Sequence, residues 1–310
     1  MKNPNAGHAS GGFKRVVMVL AIAAVAAPLG IANAQASYTR QAVTEDVMTR
    51  PFPPVHIIGN LYHVGTYDLA AFLITTPEGH ILVNTGVYDS APLIRDNVEA
   101  AGIGFEDIRI LLTTQAHWDH VADLAEVKRL TGARLLAHAG DVASLEDGGV
   151  SDFRFPEGRE PVFEPVTVDE VLQDGDTIEL GGTVVTLLHH PGHTKGASSF
   201  LFTTEEGGEP YEVLIVNMGT INPGVKLLAM PMYPEIADDY AATFAAQKAL
   251  TPDVWVSSHS RHFDLHERFK AGDPYDPMRF ADLDAYRAKI AQYEQAYLKQ
   301  LEAERAEHAR

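Results

Sequence analysis

Six side chains in three separate stretches of the chain have the chemistry of metal ligands. Imidazole and carboxylate groups occur together in the run Gln115-Ala-His-Trp-Asp-His120, and two single histidines follow much later. The candidates are Gln115, His117, Asp119, His120, His193 and His259. Divalent zinc binds imidazole and carboxylate, and a catalytic zinc site uses three protein ligands and leaves one position for water. The pattern therefore predicts a zinc-dependent hydrolase in preference to a passive scaffold.

Each candidate group follows a run of residues that is typical of a strand. Residues 108–112 are mostly apolar and precede the first group, residues 183–188 run into His189-His-Pro-Gly-His193, and residues 254–256 precede the last histidine. In layered α/β folds, ligand sites lie beyond the carboxyl ends of strands. We therefore expect the three groups to lie where such folds place their sites.

The remaining pattern predicts an α/β chain of two similar halves, each with strands flanked by helices. A helix is predicted from Asp119 to a stop at Thr131-Gly132. Further strands are predicted at 61–64, 71–74, 80–83, 177–180 and 211–216, and further helices at 90–101, 236–250 and 283–310. The last helix carries an apolar stripe that we assign to packing: Tyr286, Ile290, Tyr293, Tyr297 and Leu301.

The first 34 residues have the order of a secretory signal peptide. Three basic residues precede an apolar run from Val16 to about Ala27, and Ala32-Asn33-Ala34 has the small-x-small pattern of a cleavage site. We expect residues 1–34 to be removed and residues 35–310 to form one catalytic domain, periplasmic or secreted. The alternative is a membrane anchor, but the uncharged stretch is marginal for spanning about 30 Å of hydrocarbon. We expect no stable membrane insertion after cleavage.

Composition excludes other chemistries and partners. The chain has no cysteine, so it has no disulfide and no thiolate nucleophile or ligand. Its formal net charge of -18 repels phosphate backbones, which argues against nucleic acid as a partner. We expect a monomer that acts on a small molecule.

The motifs resemble those of one known family. Gln115-x-His-x-Asp-His120, His190-Pro-Gly-His-Thr194 and the late His259 resemble the ligand set of the metallo-β-lactamase superfamily. Gly65-Thr-Tyr-Asp-Leu69 and Asp264-Leu-His-Glu267 are similar to its subclass B3, in which a minor branch has glutamine at the first ligand position. This sequence resembles that branch. The resemblance implies a four-layer αββα sandwich.

The resemblance also implies how the ligands divide between two zinc ions. The first zinc would be held by Gln115, His117 and His193, and the second by Asp119, His120 and His259. An amide oxygen is a poorer zinc donor than imidazole, so the first site is expected to be the weaker one. We hypothesise that the second site fills first and supports turnover with a single zinc.

The implied activity is opening of the β-lactam ring of penicillins, cephalosporins and carbapenems. By this resemblance, bound zinc would supply hydroxide at neutral pH for attack on the ring carbonyl, and Asp119 would hold this nucleophile and relay a proton. Thr220 and Met218 are the expected substrate contacts. Two cations close to the motifs in sequence, Lys195 and Lys226, are further candidates. The loops around residues 51–54 and 148–165 are expected to wall the cleft.

An absent carboxylate bears on the choice of substrate. Glyoxalase II enzymes, phosphodiesterases and many lactonases of this fold carry an aspartate that bridges both metals, whereas the corresponding strand here ends Val216-Asn217-Met218-Gly219-Thr220. Two alternatives stay open, because fold alone does not give function. One is another metallohydrolase of lactonase or thioesterase type, and the other is a non-catalytic zinc-binding periplasmic protein.

Overall fold

The computed structural model describes residues 37–155 and 158–309, together with the backbone of a short strand at residues 16–18. Apart from that strand, the predicted signal peptide at residues 1–34 lies outside the described residues, and its removal stays a prediction. Among the described residues, no helix combines the length and the apolar character needed to cross a membrane.

Thirteen strands and seven helices alternate along the described chain. The strands are β1 (Val16–Met18), β2 (Val55–Ile58), β3 (Leu61–His63), β4 (Phe72–Thr76), β5 (Gly79–Val83), β6 (Ile108–Leu112), β7 (Arg134–His138), β8 (Glu170–Leu172), β9 (Thr177–Leu180), β10 (Thr183–His189), β11 (Ser198–Glu206), β12 (Glu209–Val216) and β13 (Val254–Ser257). The helices are α1 (Ala91–Ala100), α2 (Trp118–Val121), α3 (Leu124–Thr131), α4 (Ala139–Glu146), α5 (Ile236–Ala249), α6 (Leu265–Arg268) and α7 (Leu283–His308).

The strands form two mixed sheets. The first has the order β2-β3-β4-β5-β6-β7-β8 and the second β1-β9-β10-β11-β12-β13. Strands β2 to β5 pair antiparallel and β5 to β8 pair parallel. In the second sheet β9 to β12 pair antiparallel, and β12 pairs parallel with β13. Each half is therefore an antiparallel meander followed by parallel pairing, in agreement with the predicted repeat.

Alternating apolar residues give the first sheet two buried faces. Phe72 and Ile74 pack in one cluster with residues of the second sheet such as Phe200, whereas Leu73 packs with α1 and α3 on the opposite face. This is the two-residue period of a strand. The second sheet is covered in turn by α5 and α7, whose buried residues belong to the same cluster as the sheet-to-sheet core. The layers are thus helix, sheet, sheet and helix, so the predicted αββα sandwich is confirmed.

The helix predicted from Asp119 to Thr131 is wrong in one respect, because it is interrupted. Helix α2 ends at Val121 and α3 begins at Leu124. Between them, the Asp123 carboxylate accepts hydrogen bonds from the backbone N–H of Asp89 at 3.2 Å and of Ala91 at 2.6 Å. It thereby satisfies free N–H groups at the start of α1, and a continuous helix would direct this side chain elsewhere. The predicted stop is confirmed, since Gly132 ends α3 with φ of 69°.

Residue His63 generates a prediction about stability and pH. Its ring packs against Phe52 and Phe72, and neither ring nitrogen has a hydrogen-bond partner among the described residues. Burial lowers the pKa of His63 to about 3, against about 6.5 in an unfolded chain. Below pH 6.5 the unfolded chain therefore binds more protons than the folded chain, so stability is lost as the pH falls toward 3. We expect this residue to remove about 1.4 kcal/mol from the free energy of unfolding per pH unit in that window.

Urea denaturation of chelator-treated protein between pH 7 and pH 5 measures this slope. A His63→Leu variant should show a flatter dependence than the wild type, and His308→Leu, at the exposed end of α7, should keep the wild-type slope. Equal slopes in all three proteins would contradict the prediction.

Candidate metal centre

The first four candidate residues lie in the connection from β6 to α2. His117 is the N-cap residue of α2 with extended backbone, so the chain turns sharply there and His120 follows within the first helical turn. His193 follows β10, and His259 comes two residues after the end of β13. As predicted, all three groups lie beyond the carboxyl ends of strands, and they meet at one edge of the two sheets.

Asn84, directly after β5, holds the beginning of the first of these loops. Its Oδ1 accepts hydrogen bonds from the backbone N–H of Thr114 at 2.9 Å and from the Thr113 hydroxyl at 3.2 Å. Asn84 itself has a φ of 66°, a left-handed conformation that asparagine tolerates better than most residues. The loop that carries Gln115 and His117 is therefore fixed to the neighbouring strand.

Asp119, His120 and His259 form one group of donor atoms. One ligand atom from each lies within 4.8 Å of the others. Asp119 Oδ2 is 3.5 Å from His120 Nε2 and 3.7 Å from His259 Nε2. Zinc bonds of 2.0–2.1 Å at tetrahedral angles put two ligand atoms roughly 3.3 Å apart. The spacing therefore fits a metal ion between these three side chains.

His117 and His193 form a second pair beside that group. His117 Nδ1 lies 3.1 Å from His193 Nε2, which is again close to the spacing of two zinc ligands. The buried Oε1 of Gln115 and the buried Nδ1 and Nε2 of His120 have no hydrogen-bond partner among the described residues. Such atoms are costly to leave unpaired, so a bound cation accounts for their burial better than an apolar interior does.

Burial keeps the histidines of both groups neutral. It lowers the pKa of His120 to about 3 and that of His193 to about 4, and it holds the pKa of His117 well below its usual range. Burial also opposes ionisation of Asp119, but His120 and His259 outweigh it and lower the pKa of that carboxyl. Neutral imidazole and ionised carboxylate are the forms that bind metal.

Hydrogen bonds to their Nδ1 atoms orient two of these imidazoles. His259 Nδ1 lies 3.0 Å from Asp68 Oδ2, and His193 Nδ1 donates to the carbonyl oxygen of Thr220 at 2.6 Å. Because these acceptors take the ring proton, the Nε2 lone pairs face the centre of the site. A third buried carboxylate, Asp152, has Oδ2 at 3.8 Å from His117 Nε2.

Asp141, in α4, joins the two loops that carry the second pair. Its Oδ2 accepts hydrogen bonds from the backbone N–H of Ala116 at 2.9 Å and from the Thr194 hydroxyl at 2.8 Å. Its Oδ1 accepts the backbone N–H of Gly196 at 2.8 Å. Burial raises the pKa of Asp141 to about 6, although these three donors oppose the shift. Asp141 thus fixes the distance between Ala116 and Thr194, which are adjacent in sequence to His117 and His193.

A cavity of about 520 Å³ opens above both groups. Thr220 lines it, as predicted for a substrate contact, whereas Met218 is only 1 % exposed and packs in the core between the sheets. The expected substrate contact of Met218 therefore has no counterpart in this geometry. Among the described residues, neither Lys195 nor Lys226 lines this cavity.

The walls of the cavity come partly from segments that sequence reasoning did not select. The loop at 148–165 contributes Arg154, as expected, but the residues before Pro51 contribute in place of residues 51–54. The wall residues that we did not anticipate include Glu45, Met48, Arg261, His262 and Tyr293. Tyr293 was assigned to packing because helical spacing identifies an apolar stripe but does not show which of its residues lies next to the cavity.

The role of Asp141 can be tested by a change of one atom. Asp141→Asn keeps the shape but replaces one acceptor oxygen by an NH₂ group, which then faces a donor. We expect zinc affinity to fall about 10- to 100-fold, in the range seen when groups that orient metal ligands are changed. Competition with a chromophoric chelator measures this affinity. The matched control is Asp253→Asn, which alters an acceptor of the Glu212 N–H in the second sheet, away from the cavity. Wild-type zinc affinity in both variants would contradict the assignment.

Comparisons with known proteins agree with this geometry. Residues 67–205 match the family model of the metallo-β-lactamase superfamily. The curated relatives include a hydroxyacylglutathione hydrolase from a Bradyrhizobium species, 28% identical over 139 residues, which are 45% of this chain and 45% of the relative. They also include the bovine acyl-coenzyme A thioesterase MBLAC2, 25% identical over 57% of this chain and 74% of the relative. The chain thus spans less than half the length of the first of these curated relatives.

Solved structures match over nearly the whole described chain. The class B3 di-zinc metallo-β-lactamase LRA-12 from an Alaskan soil metagenome is 46% identical, with a TM-score of 0.83 over 85% of this chain and 99% of that one. The metallo-β-lactamase GOB-18 from Elizabethkingia meningoseptica is 43% identical, with a TM-score of 0.83 over 86% and 98%. These likenesses identify a hydrolase. The chain belongs to the metallo-β-lactamase superfamily and, within it, to the class B3 metallo-β-lactamases.

Proposed function

We propose that this protein is a zinc-dependent hydrolase that opens the β-lactam ring of antibiotics. The observation that carries the proposal is the set of lone-pair atoms at zinc spacing beneath a cavity of about 520 Å³. This volume lies within the usual range for small-molecule sites. The similarity to class B3 enzymes at up to 46% identity supports the same substrate class.

The proposed ligand sets are those implied by the sequence. Gln115, His117 and His193 hold one zinc, and Asp119, His120 and His259 hold the other. Bound zinc lowers the pKa of water from 15.7 to about 7 and thus supplies hydroxide at neutral pH. The amide oxygen of Gln115 makes the first set the weaker one, so we propose that the second set fills first and supports turnover alone.

The side chains divide the remaining work. The pKa of Asp119 lies below its usual value, so its carboxylate is ionised at neutral pH. It orients the attacking water and carries a proton toward the nitrogen that leaves when the ring opens. Thr220 lines the cavity, and its hydroxyl, 3.1 Å from His193 Nδ1, is assigned to a polar group of the substrate. The carbonyl oxygen of Thr220 keeps His193 in place.

A thioesterase activity is the second candidate, because curated relatives with weaker similarity are named as hydroxyacylglutathione hydrolases and an acyl-coenzyme A thioesterase. The end of β12 argues for the β-lactamase. Residues 217–220 read Asn-Met-Gly-Thr, so this connection offers no carboxylate to bridge two metals. The class B3 structures also align with far more of the chain than the first of these relatives does. We also propose export to the periplasm or the medium, which the N-terminal sequence supports.

Hydrolysis of nitrocefin and of a carbapenem, with and without chelator, tests the activity. We expect turnover by zinc-loaded protein, loss of turnover after chelation and recovery on adding zinc. His120→Ala should reduce kcat/KM by at least ~100-fold, since even groups that only orient metal ligands cost up to that much. The control His308→Ala should match the wild type. Hydrolysis of S-lactoylglutathione or a lactone without hydrolysis of any β-lactam would overturn the proposal in favour of another hydrolase.

Substitution of Gln115 tests the unequal zinc affinities. Gln115→His replaces an amide oxygen by imidazole, so we expect the second equivalent of zinc to bind more tightly while the first is unchanged. Isothermal titration of the metal-free protein, read against activity at each equivalent, measures both steps. Wild-type turnover that begins only at two equivalents would refute the single-zinc proposal.

A further inference from the structure

Two arginines on the cavity wall are tied to the candidate metal ligands through buried carboxylates. Arg154 bonds to Asp152, whose other neighbour is His117 Nε2 at 3.8 Å. Arg261 contacts Asp68, which lies 3.0 Å from His259 Nδ1. Both arginines line the cavity. In each candidate metal group, a carboxylate therefore lies between a histidine and an arginine, and the arginine lines the cavity.

Arg154 is the more rigidly held of the two. Its Nε donates to both oxygens of Asp152 at 3.0 and 3.1 Å, and its Nη2 donates to Oδ2 at 2.6 Å. Its backbone N–H donates to the same carboxylate at 3.0 Å. The side chain of Arg154 is 17% exposed, against 52% for Arg261. A guanidinium that is already fixed loses little conformational entropy when it binds a ligand.

The position of Arg154 leaves part of its guanidinium for a ligand. Nε and Nη2 face Asp152, whereas Nη1 has no hydrogen-bond partner among the described residues. Short contacts connect Arg154 to Thr220. Asp152, which holds Arg154, lies 3.8 Å from His117 Nε2, and His117 Nδ1 lies 3.1 Å from His193 Nε2. His193 Nδ1 in turn donates to the carbonyl oxygen of Thr220 at 2.6 Å, and both Arg154 and Thr220 line the cavity.

Two guanidinium groups lie on the cavity wall of an acidic protein. The chain as a whole has a net charge of -18, yet the cavity is lined by two arginines against two acidic residues, Glu45 and Asp119. Asp119 is a candidate metal ligand, so its charge is directed into the metal centre. Because Asp152 and Asp68 each balance one of these arginines, the wall carries no net positive charge. What it offers an anionic group is the hydrogen-bonding capacity of a fixed guanidinium.

We propose that Arg154 is a specificity residue that binds a carboxylate of the substrate through Nη1, alongside the Thr220 hydroxyl. The identity of that substrate as a β-lactam acid rests on the proposed function. The competing explanation is that Arg154 only neutralises Asp152 and thereby keeps the side chain of His117 in position. In that case, substitution of Arg154 would impair the hydrolysis of every substrate by the same factor.

A pair of substrates separates these explanations. Benzylpenicillin carries one carboxylate, and its methyl ester is the same molecule without that charge. Loss of a hydrogen bond to a charged group corresponds to about a tenfold to hundredfold change. We expect Arg154→Gln to raise KM for benzylpenicillin by this factor and to leave KM for the ester within about twofold of wild type. The control Arg109→Gln removes an equal charge at the amino end of β6, away from the cavity, and should change neither value.

A binding measurement gives the second readout. The ring-opened diacid of benzylpenicillin is titrated calorimetrically into zinc-loaded wild type and Arg154→Gln, with the zinc content of both proteins measured. Weaker binding to the variant at equal zinc content supports the proposal. Equal binding to both proteins, no binding to the wild type, or an equal loss on acid and ester substrates overturns it. Failure of the proposed function has a different signature, namely wild-type protein that hydrolyses neither benzylpenicillin nor its ester.

Discussion

Burial of uncharged histidines is the constraint on which the rest of the site depends. The imidazoles of His117, His120, His193 and His259 lie away from solvent, where their protonated forms are disfavoured. Thr220 and Asp68 take the Nδ1 protons of two of them, so lone pairs face one another across a few ångströms. Such an arrangement is unfavourable by itself and becomes favourable when a cation lies between the lone pairs. The apolar layers must therefore provide the stability that this edge of the fold lacks.

Those layers also determine where the ligand loops meet. The candidates come from loops that follow β6 in the first sheet and β10 and β13 in the second. The cluster between the sheets, with residues such as Ile110 and Val256 that are fully buried, sets the distance between the sheets and hence between those loops. Side-chain hydrogen bonds then fix the distances between the ligand loops more closely. Asn84 holds the first loop to β5, and Asp141 joins it to the loop of His193.

Pairs of opposite charge connect the candidate metal ligands to the wall of the cavity. Asp68 and Asp152 have a double role, because each touches a candidate metal ligand on one side and an arginine on the other. Asp68 orients the imidazole of His259 and contacts Arg261, whereas Asp152 holds Arg154 and lies 3.8 Å from His117 Nε2. Both arginines line the cavity, so guanidinium groups are found there although the net charge of the chain is -18.

Local pattern was sufficient for many of the elements and for selecting the candidate ligands, but strands β2, β7, β8 and β11 and helix α4 were not predicted. The prediction of a strand at residues 108–112 was confirmed at both ends, and the helix predicted at 236–250 ends one residue earlier than expected. These features depend on the spacing of apolar residues and on turn residues, and both can be read from neighbouring positions in the sequence. The density of histidine and aspartate between residues 115 and 120 likewise needed no tertiary information to be noticed.

Tertiary structure alone decided which side chains support and surround those ligands. Asp68 lies 191 residues from His259, and Asp141 lies 25 and 55 residues from the two backbone groups that it joins. Asp123 interrupts a helix because it accepts a hydrogen bond from the start of α1. Proximity in sequence suggested Lys195 and Lys226 as cavity residues, whereas the structure places Arg154 and Arg261 on the cavity wall. The period and composition of a sequence specify which face of an element is apolar. The pairing of a polar group with a distant partner depends on how those elements pack, and no local pattern records it.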